Sequence, residues 1–241
     1  MNSRYLDEPA SQKSVPPCET SLGRELRSTL FTPLLPASIF TAEITGDPPL
    51  PALPQAEKEA LGRAGFKRLR DFTKGRSCAR GALLAFGVKA TPILIGEDRA
   101  PLWPRDFVGC ITHCHNYCVA AVGREAEFQA TGVDAEPDEA LPPGVVELIA
   151  SPGERDWLRT EADSALHWDR ILFSTKDSAF KASGRLLGRP LPFSEIEISF
   201  DPIEASFEAR WSASTRLSRL RGRFRAARGL IATTAIIAAG S

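Results

Sequence analysis

The sequence has no excess of charge of either sign. Its 30 basic and 30 acidic residues cancel within 241 residues, so net charge favours neither a nucleic-acid partner nor a strongly charged surface. Long apolar runs are also missing, because the longest, "GLIATTAIIAAG", is too short to span a bilayer and is typical of a buried strand. No apolar segment follows Arg4, Asp7 and Glu8, so we expect no signal peptide, no membrane partner and a cytoplasmic location.

Cysteine is scarce and odd in number. The five are Cys18, Cys78, Cys110, Cys114 and Cys118. An odd count without a secretory signal predicts reduced thiols. The run "CITHCHNYC" places two histidines among three cysteines, which raises the alternative of a zinc site. Structural zinc prefers two separated ligand pairs, so we favour small buried thiols here.

The N-terminal half mixes one helical region with strands. Residues 1–25 are polar and aperiodic, which predicts a loose tail. The pattern from Gln55 to Gly87 is helical. The apolar residues that it places near one stripe are Leu69, Phe72, Ala79, Leu83 and Phe86. The segments "TPILIGE", "GCITHC" and "YCVAAVG" follow as predicted strands. These elements define an expected N-terminal lobe over residues 26–128.

The C-terminal half, residues 129–241, has a similar mixture. Ser151 before Pro152 is typical of a helix start, and "HWDRILFSTKDSAFKASG" gives the strongest helical pattern. Strands are predicted at "TGVDAE", "EIEISFD", "RLRGRFR" and "LIATTAII". The expected fold is therefore α+β, with two α/β lobes.

Two acidic side chains, Asp134 and Glu136, are one residue apart in "TGVDAEPDE". On a strand, residues i and i+2 point to the same side, so both carboxylates would face one spot. Adjacent anions raise each other's pKa unless a cation lies between them. The spot is therefore open to water or holds a positive charge.

A third acid, Asp177, lies four residues before Lys181 on the predicted long helix, so the two share a face. The ordinary interpretation is a surface ion pair. The alternative is that Asp177 joins Asp134 and Glu136 in a site of three carboxylates. Oxygen ligands of this kind favour a hard cation, Mg²⁺ first, which commonly completes its shell with water and substrate phosphate.

Cations crowd the helical region of the first half. They are Arg68, Arg70, Lys74, Arg76 and Arg80. Arginine suits bidentate phosphate contacts, although a solvated basic helix face is the alternative. His113 follows Thr112 in an apolar strand, where a histidine is often a core residue. A cysteine–histidine nucleophile pair lacks an evident third orienting group.

Four blocks occur in the order of a known family. "GVDAE" and "FSTKDSAFK" resemble the signatures G-[IV]-D-x-E and [FW]-[SC]-x-K-E-[AS]-x-x-K of 4′-phosphopantetheinyl transferases. "PLWPRDFVGCITHC" resembles the preceding Trp-Pro and His block, and "GRSCARGALLAFG" the helix before it. The likeness runs from about Phe66 to Phe193. It is similar to the enterobactin- or surfactin-synthetase type, which implies a monomer of two pseudo-symmetric lobes.

The resemblance implies a reaction. Phosphopantetheine of coenzyme A would be transferred to a serine of an apo acyl, peptidyl or aryl carrier protein, with release of adenosine 3′,5′-bisphosphate. Such carriers serve fatty-acid, polyketide, nonribosomal-peptide and siderophore biosynthesis. Two alternatives stay open: a metal-dependent phosphohydrolase using the same acids, and a nucleic-acid-binding module using the six arginines in the 13 residues of "RLSRLRGRFRAAR".

The resemblance also implies roles for the acids. Asp134, Glu136 and Asp177 would hold Mg²⁺, or Mn²⁺, against the pyrophosphate of coenzyme A. Asp177 or Glu136 would take the serine proton. The family has glutamate at position 177, and aspartate is one methylene shorter, so the helix must lie closer or a water must bridge.

The remaining implied contacts are with phosphate. Arg68 and Arg76 would bind the 3′-phosphate, and Thr112 and His113 the other phosphates, with His113 counted among the catalytic residues. Lys176 and Lys181 would neutralise the pyrophosphate, and Lys181 would also stabilise the leaving phosphate.

Two further positions depart from the family pattern. Cys110 stands where serine is usual. Ile95 stands where some relatives have a basic phosphate contact, for which Arg99 is the candidate replacement.

Overall fold

The structure is a computed structural model that describes residues 30–89, 91–96, 99–162, 164–188, 191–211 and 219–240. The α-helices are α1 (Gln55–Leu61), α2 (Phe66–Leu84), α3 (Val145–Ile149), α4 (Pro152–Thr160) and α5 (Trp168–Leu187). The strands are β1 (Phe40–Thr45), β2 (Phe107–Cys114), β3 (Tyr117–Arg124), β4 (Phe128–Pro137), β5 (Ile196–Asp201), β6 (Ser206–Trp211), β7 (Arg219–Ala227) and β8 (Leu230–Ala238). This mixture confirms the α+β prediction. The tail predicted over residues 1–25 lies outside the described residues.

Two antiparallel sheets organise the chain. The N-terminal lobe has the strand order β1-β3-β2, and the C-terminal lobe has the order β4-β8-β7-β6-β5. Helix α2 packs on the first sheet and α5 on the second. Gly75 allows α2 to approach β2 closely, because a Cβ there would lie 3.0 Å from a methyl group of Ile111. No helix among the described residues is long and apolar enough to cross a membrane.

The helical region of the first half differs from its prediction. Gly62, with φ +64°, ends α1, and α2 begins after Gly65, so the predicted single span is two helices. Of the predicted apolar stripe, Ala79 and Leu83 are buried, whereas Leu69 is 42% exposed. Small buried residues such as Cys78 and Ala79 let the helix lie close to the sheet.

The predicted strand "TPILIGE" is wrong. Among its described residues, 91–96, only Ile95 forms a bridge, an isolated one with Pro101. The carbonyl groups of Ile93 and Leu94 accept hydrogen bonds from the side chain of Arg76, and that of Leu94 also accepts one from the amide of Leu102 (3.0 Å). These contacts join the segment to α2 and to Leu102 without forming a strand.

The C-terminal lobe follows its prediction more closely. Ser151 accepts a hydrogen bond from the amide of Glu154 (3.2 Å), and Glu154 accepts one from the amide of Ser151 (2.7 Å), forming a capping box. The predicted strands near the C-terminus correspond to β5, β7 and β8. The prediction missed β6, in which Phe207, Ala209 and Trp211 alternate inward between exposed or half-buried polar residues.

The two lobes meet where β2 runs beside β4. A shared core lies between the sheets, with Val108 and Val119 from one lobe and Val133 and Ala135 from the other. The thiol of Cys110 on β2 donates to the carbonyl of Val133 on β4 at 3.6 Å. This junction fixes the side chains of one lobe against those of the other.

Candidate active site

A cleft of about 990 Å³ opens between α2 and β2 of one lobe and β4 and α5 of the other. It brings together all but one of the residues that the sequence singled out for the site: Arg68, Arg76, Thr112, His113, Asp134, Glu136, Asp177 and Lys181. Residues that are distant in sequence therefore share one surface, with the cations mainly on the N-terminal side and the acids on the C-terminal side.

Asp134 lies at the junction of the lobes and is 3% exposed. Its Oδ1 accepts hydrogen bonds from Oγ1 of Thr112 (2.9 Å) and Nζ of Lys181 (2.8 Å). Burial opposes ionisation of Asp134, but Lys181 and these hydrogen bonds outweigh it and hold the pKa below its usual range. Oδ2 is buried without a hydrogen-bond partner. The side chain is therefore an anion with one coordination position left open.

Asp177 and Lys181 reach Asp134 because α5 lies very close to β4. Nζ of Lys181 is 2.6 Å from Oδ2 of Asp177. A Cβ at Gly132 of β4 would lie 1.9 Å from the carbonyl oxygen of Ser178, so only glycine permits this approach. Lys181 also donates to the opposite lobe, which rules out the simple surface ion pair.

Two carboxyl groups of the site are hard to ionise. Burial, reinforced by the charge of Asp134, raises the pKa of Asp177 to about 7 despite Lys181. Burial and Asp134 also raise the pKa of Glu136. Burial alone would lower the pKa of Lys181, but Asp134 and Asp177 together raise it, so this lysine is fixed as a cation.

Arg170 is a site residue that the sequence prediction missed. It is 9% exposed, and its Nη1 lies 2.8 Å from Oε2 of Glu136. Its other nitrogens donate to the carbonyl groups of Glu139 and Ala140, which fixes the loop after β4. A signal was available, since Arg170 is one heptad before Asp177 and so lies on the same face of α5.

The three acids fit a hard divalent cation by their donor atoms. Asp134 Oδ2 is buried without a hydrogen-bond partner, and burial raises the pKa of Asp177 and Glu136, so a bound cation would favour the ionised form of both. Over the ranges that the structure describes, no group of three or more His, Cys, Asp or Glu side chains is already arranged around one metal position. Lys181 and Arg170 partly supply the positive charge that a metal would bring.

The zinc alternative is not supported by the positions of the thiols. Cys110 and Cys114 contribute to the core between the sheets, whereas Cys78 and Cys118 belong to the core beneath α2. The hydrogen bond with Cys118 and burial raise the pKa of Cys78, which disfavours its thiolate. The four described cysteines are small residues of the two cores, and Cys18 lies outside the described residues.

Arg76 forms the base of the cationic wall. It is 6% exposed, and its Nε and Nη2 donate to the carbonyl groups of Ile93 (2.6 Å) and Leu94 (3.2 Å). Its guanidinium also lies over the ring of Phe72, 4.3 Å from the centroid. Burial lowers its pKa to about 10, so it stays cationic at neutral pH. The arginine is held rigidly with its charge available to the cleft.

The remaining cations of this wall are exposed. Arg68 lies in the first turn of α2, whose N-terminus borders the cleft. His113 is exposed at the end of β2, which is not the position of a core histidine. Arg99 and Ile95 line the same wall, so the replacement of one by the other as a phosphate contact stays a prediction.

Lys176 requires a correction. Its side chain is fully buried in the C-terminal lobe, 2.8 Å from Oε2 of Glu154. It also donates to the carbonyl groups of Phe193 (3.0 Å) and Ile196 (2.6 Å), which uses all three of its protons. The expected contact with pyrophosphate is incompatible with this position. Lys176 is a structural residue that anchors α5.

The arginine-rich segment forms the exposed face of β7. Arg219, Arg221 and Arg223 alternate with inward-facing residues, and Arg216 lies outside the described residues. Phe224, the aromatic that base stacking would need, is 4% exposed and packs in the core. The arrangement does not favour the nucleic-acid alternative.

Comparison with known sequences agrees with the geometry. Residues 56–123 match the profile of the 4′-phosphopantetheinyl transferase N-terminal domain, and residues 130–228 match that of the 4′-phosphopantetheinyl transferase superfamily. The chain is 41% identical over 201 residues to 4′-phosphopantetheinyl transferase Svp of Streptomyces mobaraensis, covering 80% of this chain and 82% of that protein.

Two further relatives extend the comparison. Identity to 4′-phosphopantetheinyl transferase PptT of Mycobacterium tuberculosis is 39% over 224 residues, covering 87% of this chain and 98% of that protein. Enterobactin synthase component D of Escherichia coli is 38% identical over 128 residues, 51% of this chain and 58% of its own. These matches confirm the resemblance seen in the sequence blocks: the chain belongs to the 4′-phosphopantetheinyl transferase family and is an enzyme of that family.

Proposed function

We propose that this protein transfers the 4′-phosphopantetheine group of coenzyme A to a serine of an apo carrier protein, with Mg²⁺, and releases adenosine 3′,5′-bisphosphate. The observation that carries the proposal is the position of Asp134. It accepts hydrogen bonds from Thr112 of the N-terminal lobe and Lys181 of the C-terminal lobe. At this point the cationic wall of the cleft meets the acidic wall formed by Asp134, Glu136 and Asp177. A diphosphate bound there has arginines at one end and carboxylates at the other.

The nucleotide end of coenzyme A would lie on the N-terminal lobe. Arg76 is held in place with its charge facing the cleft, and Arg68 adds a second guanidinium at its edge. The N-terminus of α2 borders the same space and favours negative charge. The adenine-side 3′-phosphate therefore has a cationic site on α2.

The pyrophosphate would lie at the junction of the lobes. His113 and the hydroxyl of Thr112 face it from β2, and Lys181 faces it from α5. Asp134, Glu136 and Asp177 would hold Mg²⁺, which when bound offsets the charge that builds on the pyrophosphate. Lys181 stays positively charged, because the acids raise its pKa. Its ammonium group would therefore turn from the acids toward the phosphate oxygens when the pyrophosphate binds.

The chemical step is a displacement at phosphorus. The serine oxygen of the carrier forms a bond to the pantetheine-side phosphorus as the bond from that phosphorus to the bridging oxygen breaks. Glu136 accepts the serine proton, because Arg170 holds only one of its two oxygens. Adenosine 3′,5′-bisphosphate leaves with the bridging oxygen, whose negative charge Lys181 stabilises. Positioning and charge neutralisation supply most of the rate.

Mass spectrometry tests this proposal. Apo carrier protein incubated with coenzyme A, Mg²⁺ and the enzyme is expected to gain one phosphopantetheine, and a chelator is expected to abolish the gain. An adenosine 3′,5′-bisphosphate signal without any change in the carrier would instead identify a metal-dependent phosphohydrolase. A panel of fatty-acid, polyketide and peptide carriers in the same assay would define the partners.

A further inference from the structure

Glu57 is a fully buried carboxylate behind the cationic wall of the cleft. It lies in the first turn of α1 and is 0% exposed. Its Oε1 accepts hydrogen bonds from Nη1 of Arg80 (2.7 Å) and from the amide of Ile93 (2.8 Å), while Oε2 has no hydrogen-bond partner. Removing a carboxylate from water in this way is costly, so a single ion pair is a weak reason to keep it.

The contacts of Glu57 continue to the cleft. Ile93, whose amide Glu57 binds, offers its carbonyl to Nε of Arg76. Leu94 offers the next carbonyl to Nη2 of the same guanidinium. Arg76 lines the cleft, whereas Glu57 and Arg80 do not. The carboxylate therefore holds the backbone segment that orients the arginine, without touching anything that binds in the cleft.

Charge gives Glu57 a second effect on Arg76. Arg76 and Arg80 are one turn apart on α2, so their guanidinium groups repel each other in a buried region. Glu57 opposes both this repulsion and the lowering of the Arg76 pKa that burial causes. Without it, the Ile93 end of the backbone support for Arg76 would be released, and the charge of Arg80 beside Arg76 would be unbalanced.

We propose that Glu57 is the positioning residue for Arg76, and that it sets the preference of the cleft for a nucleotide carrying a 3′-phosphate. This inference rests on the proposed function, in which Arg76 binds that phosphate. Glu57 fixes Ile93 and Arg80, and the backbone of the 93–94 segment then fixes the guanidinium. Nucleotides without a 3′-phosphate do not use this support.

The C-terminal lobe offers a matched control. Glu154 is also buried in the first turn of a short helix, binds the amide of Ile198 (2.7 Å), and pairs with Lys176 of the long helix. Its contacts lead into the core of that lobe and not to the cationic wall. Substituting either glutamate removes a comparable buried charge, but only Glu57 supports Arg76.

Isothermal titration calorimetry with adenosine 3′,5′-bisphosphate and adenosine 5′-monophosphate tests the inference without requiring transfer. The wild type is expected to prefer the bisphosphate by roughly 10- to 100-fold. Glu57→Gln keeps an acceptor oxygen but removes the charge that pairs with Arg80 and balances Arg76, so it is expected to lose most of that preference. Arg76→Met is expected to lose it as well, and the double variant is expected to lose no more than Arg76→Met alone. Glu154→Gln is expected to keep the preference of the wild type.

Retained preference in Glu57→Gln, or a wild type without any preference, would overturn the inference. If circular dichroism shows that Glu57→Gln does not fold, Glu57→Asp decides by the same ratio. Its shorter side chain cannot reach both partners, so an unchanged preference would again count against the role. Absence of transfer in the carrier assay would reject the proposed function, whereas retained preference in Glu57→Gln would reject only the role of Glu57.

Discussion

The N-terminal and C-terminal lobes share one plan but present opposite charges to the cleft. In each, a long helix lies on an antiparallel sheet, and a buried glutamate from a short helix binds a backbone amide and a cation of the long helix. Next to that cation, each helix presents a different residue to the cleft. On α2 it is Arg76, one turn before Arg80, and on α5 it is Asp177, directly after Lys176.

The difference shows how a similar scaffold can serve two ends of one ligand. In the N-terminal lobe, burial lowers the pKa of Arg76 only to about 10, so the wall stays cationic. In the C-terminal lobe, burial and Asp134 raise the pKa of Asp177 to about 7, so a bound cation would favour its ionised form. In the proposed function, a diphosphate with a divalent metal satisfies both walls at once.

Asp134→Ala should give the largest effect, because it removes the residue that joins the two walls. We expect transfer to fall by at least about 10³-fold, since charge stabilisation by the metal contributes several kcal/mol. Transfer is measured by carrier mass shift, and folding by circular dichroism. Asp156→Ala, on the exposed surface of α4, is the control and should transfer normally. Near-normal transfer by Asp134→Ala would mean that the acidic side chains of the cleft do not hold a metal that transfer requires.

The two lysines of α5 should separate stability from catalysis. Lys181→Met is expected to lower kcat by about 10²-fold, because it loses a charge at the developing negative oxygen. Lys176→Met leaves Glu154 buried without its cation and is expected to lower the free energy of unfolding by about 3–5 kcal/mol. Urea titration and kcat of the folded fraction distinguish them. A reversed pattern would mean that Lys176 is the residue that meets phosphate.

The two arginines of α2 should differ in the size of their effect. Arg76→Met is expected to raise the KM for coenzyme A by roughly 10- to 100-fold, since a buried charged hydrogen-bonding group is lost. Arg68→Ala, at an exposed position, is expected to raise it by only about two- to fivefold. Initial rates against coenzyme A concentration measure both. Equal effects would contradict the difference in burial.

The pH dependence of Mg²⁺ affinity probes the acidic wall alone. Below pH 7 Asp177 is largely protonated, because its pKa is raised to about 7, and a metal must displace that proton. The apparent affinity should rise by up to about tenfold per pH unit below 7 and level off above it. Titration of Mg²⁺ at pH 6, 7 and 8 by calorimetry measures this. Affinity independent of pH over this range would exclude Asp177 as a ligand that must ionise.

Asp177→Glu should give the smallest effect. The substitution restores the residue of the family pattern, and we expect activity to be preserved or raised. If the close approach of α5 at Gly132 already compensates for aspartate, the gain is limited. Steady-state kinetics measure the change. A large loss would mean that the site is built around the shorter side chain.

Local patterns explain what the sequence predicted correctly. The capping box at Ser151 and the strand on which Asp134 and Glu136 share a side both depend on neighbours within a few residues. The motif blocks then placed these acids with Thr112 and Asp177, which the cleft brings together. The positions of the other site residues depend on tertiary packing, which the sequence does not show.

Burial decides the residues that the sequence could not place. Lys176 and Lys181 are five residues apart, about 140° around the helix, and nothing local shows which side meets the cleft. Glu57 occurs in the polar run "QAEKEAL", which is typical of an exposed helix, yet it is fully buried. Its partners Arg80 and Ile93 are 23 and 36 residues away, so no short pattern predicts the contact.

A crystal structure with coenzyme A and Mn²⁺ would show whether one ligand binds both walls of the cleft. We expect an anomalous peak bounded by Asp134, Glu136 and Asp177 and touching the pyrophosphate, with the 3′-phosphate within hydrogen-bond distance of Arg76. A metal bound elsewhere, or a nucleotide whose 3′-phosphate lies away from α2, would contradict this expectation.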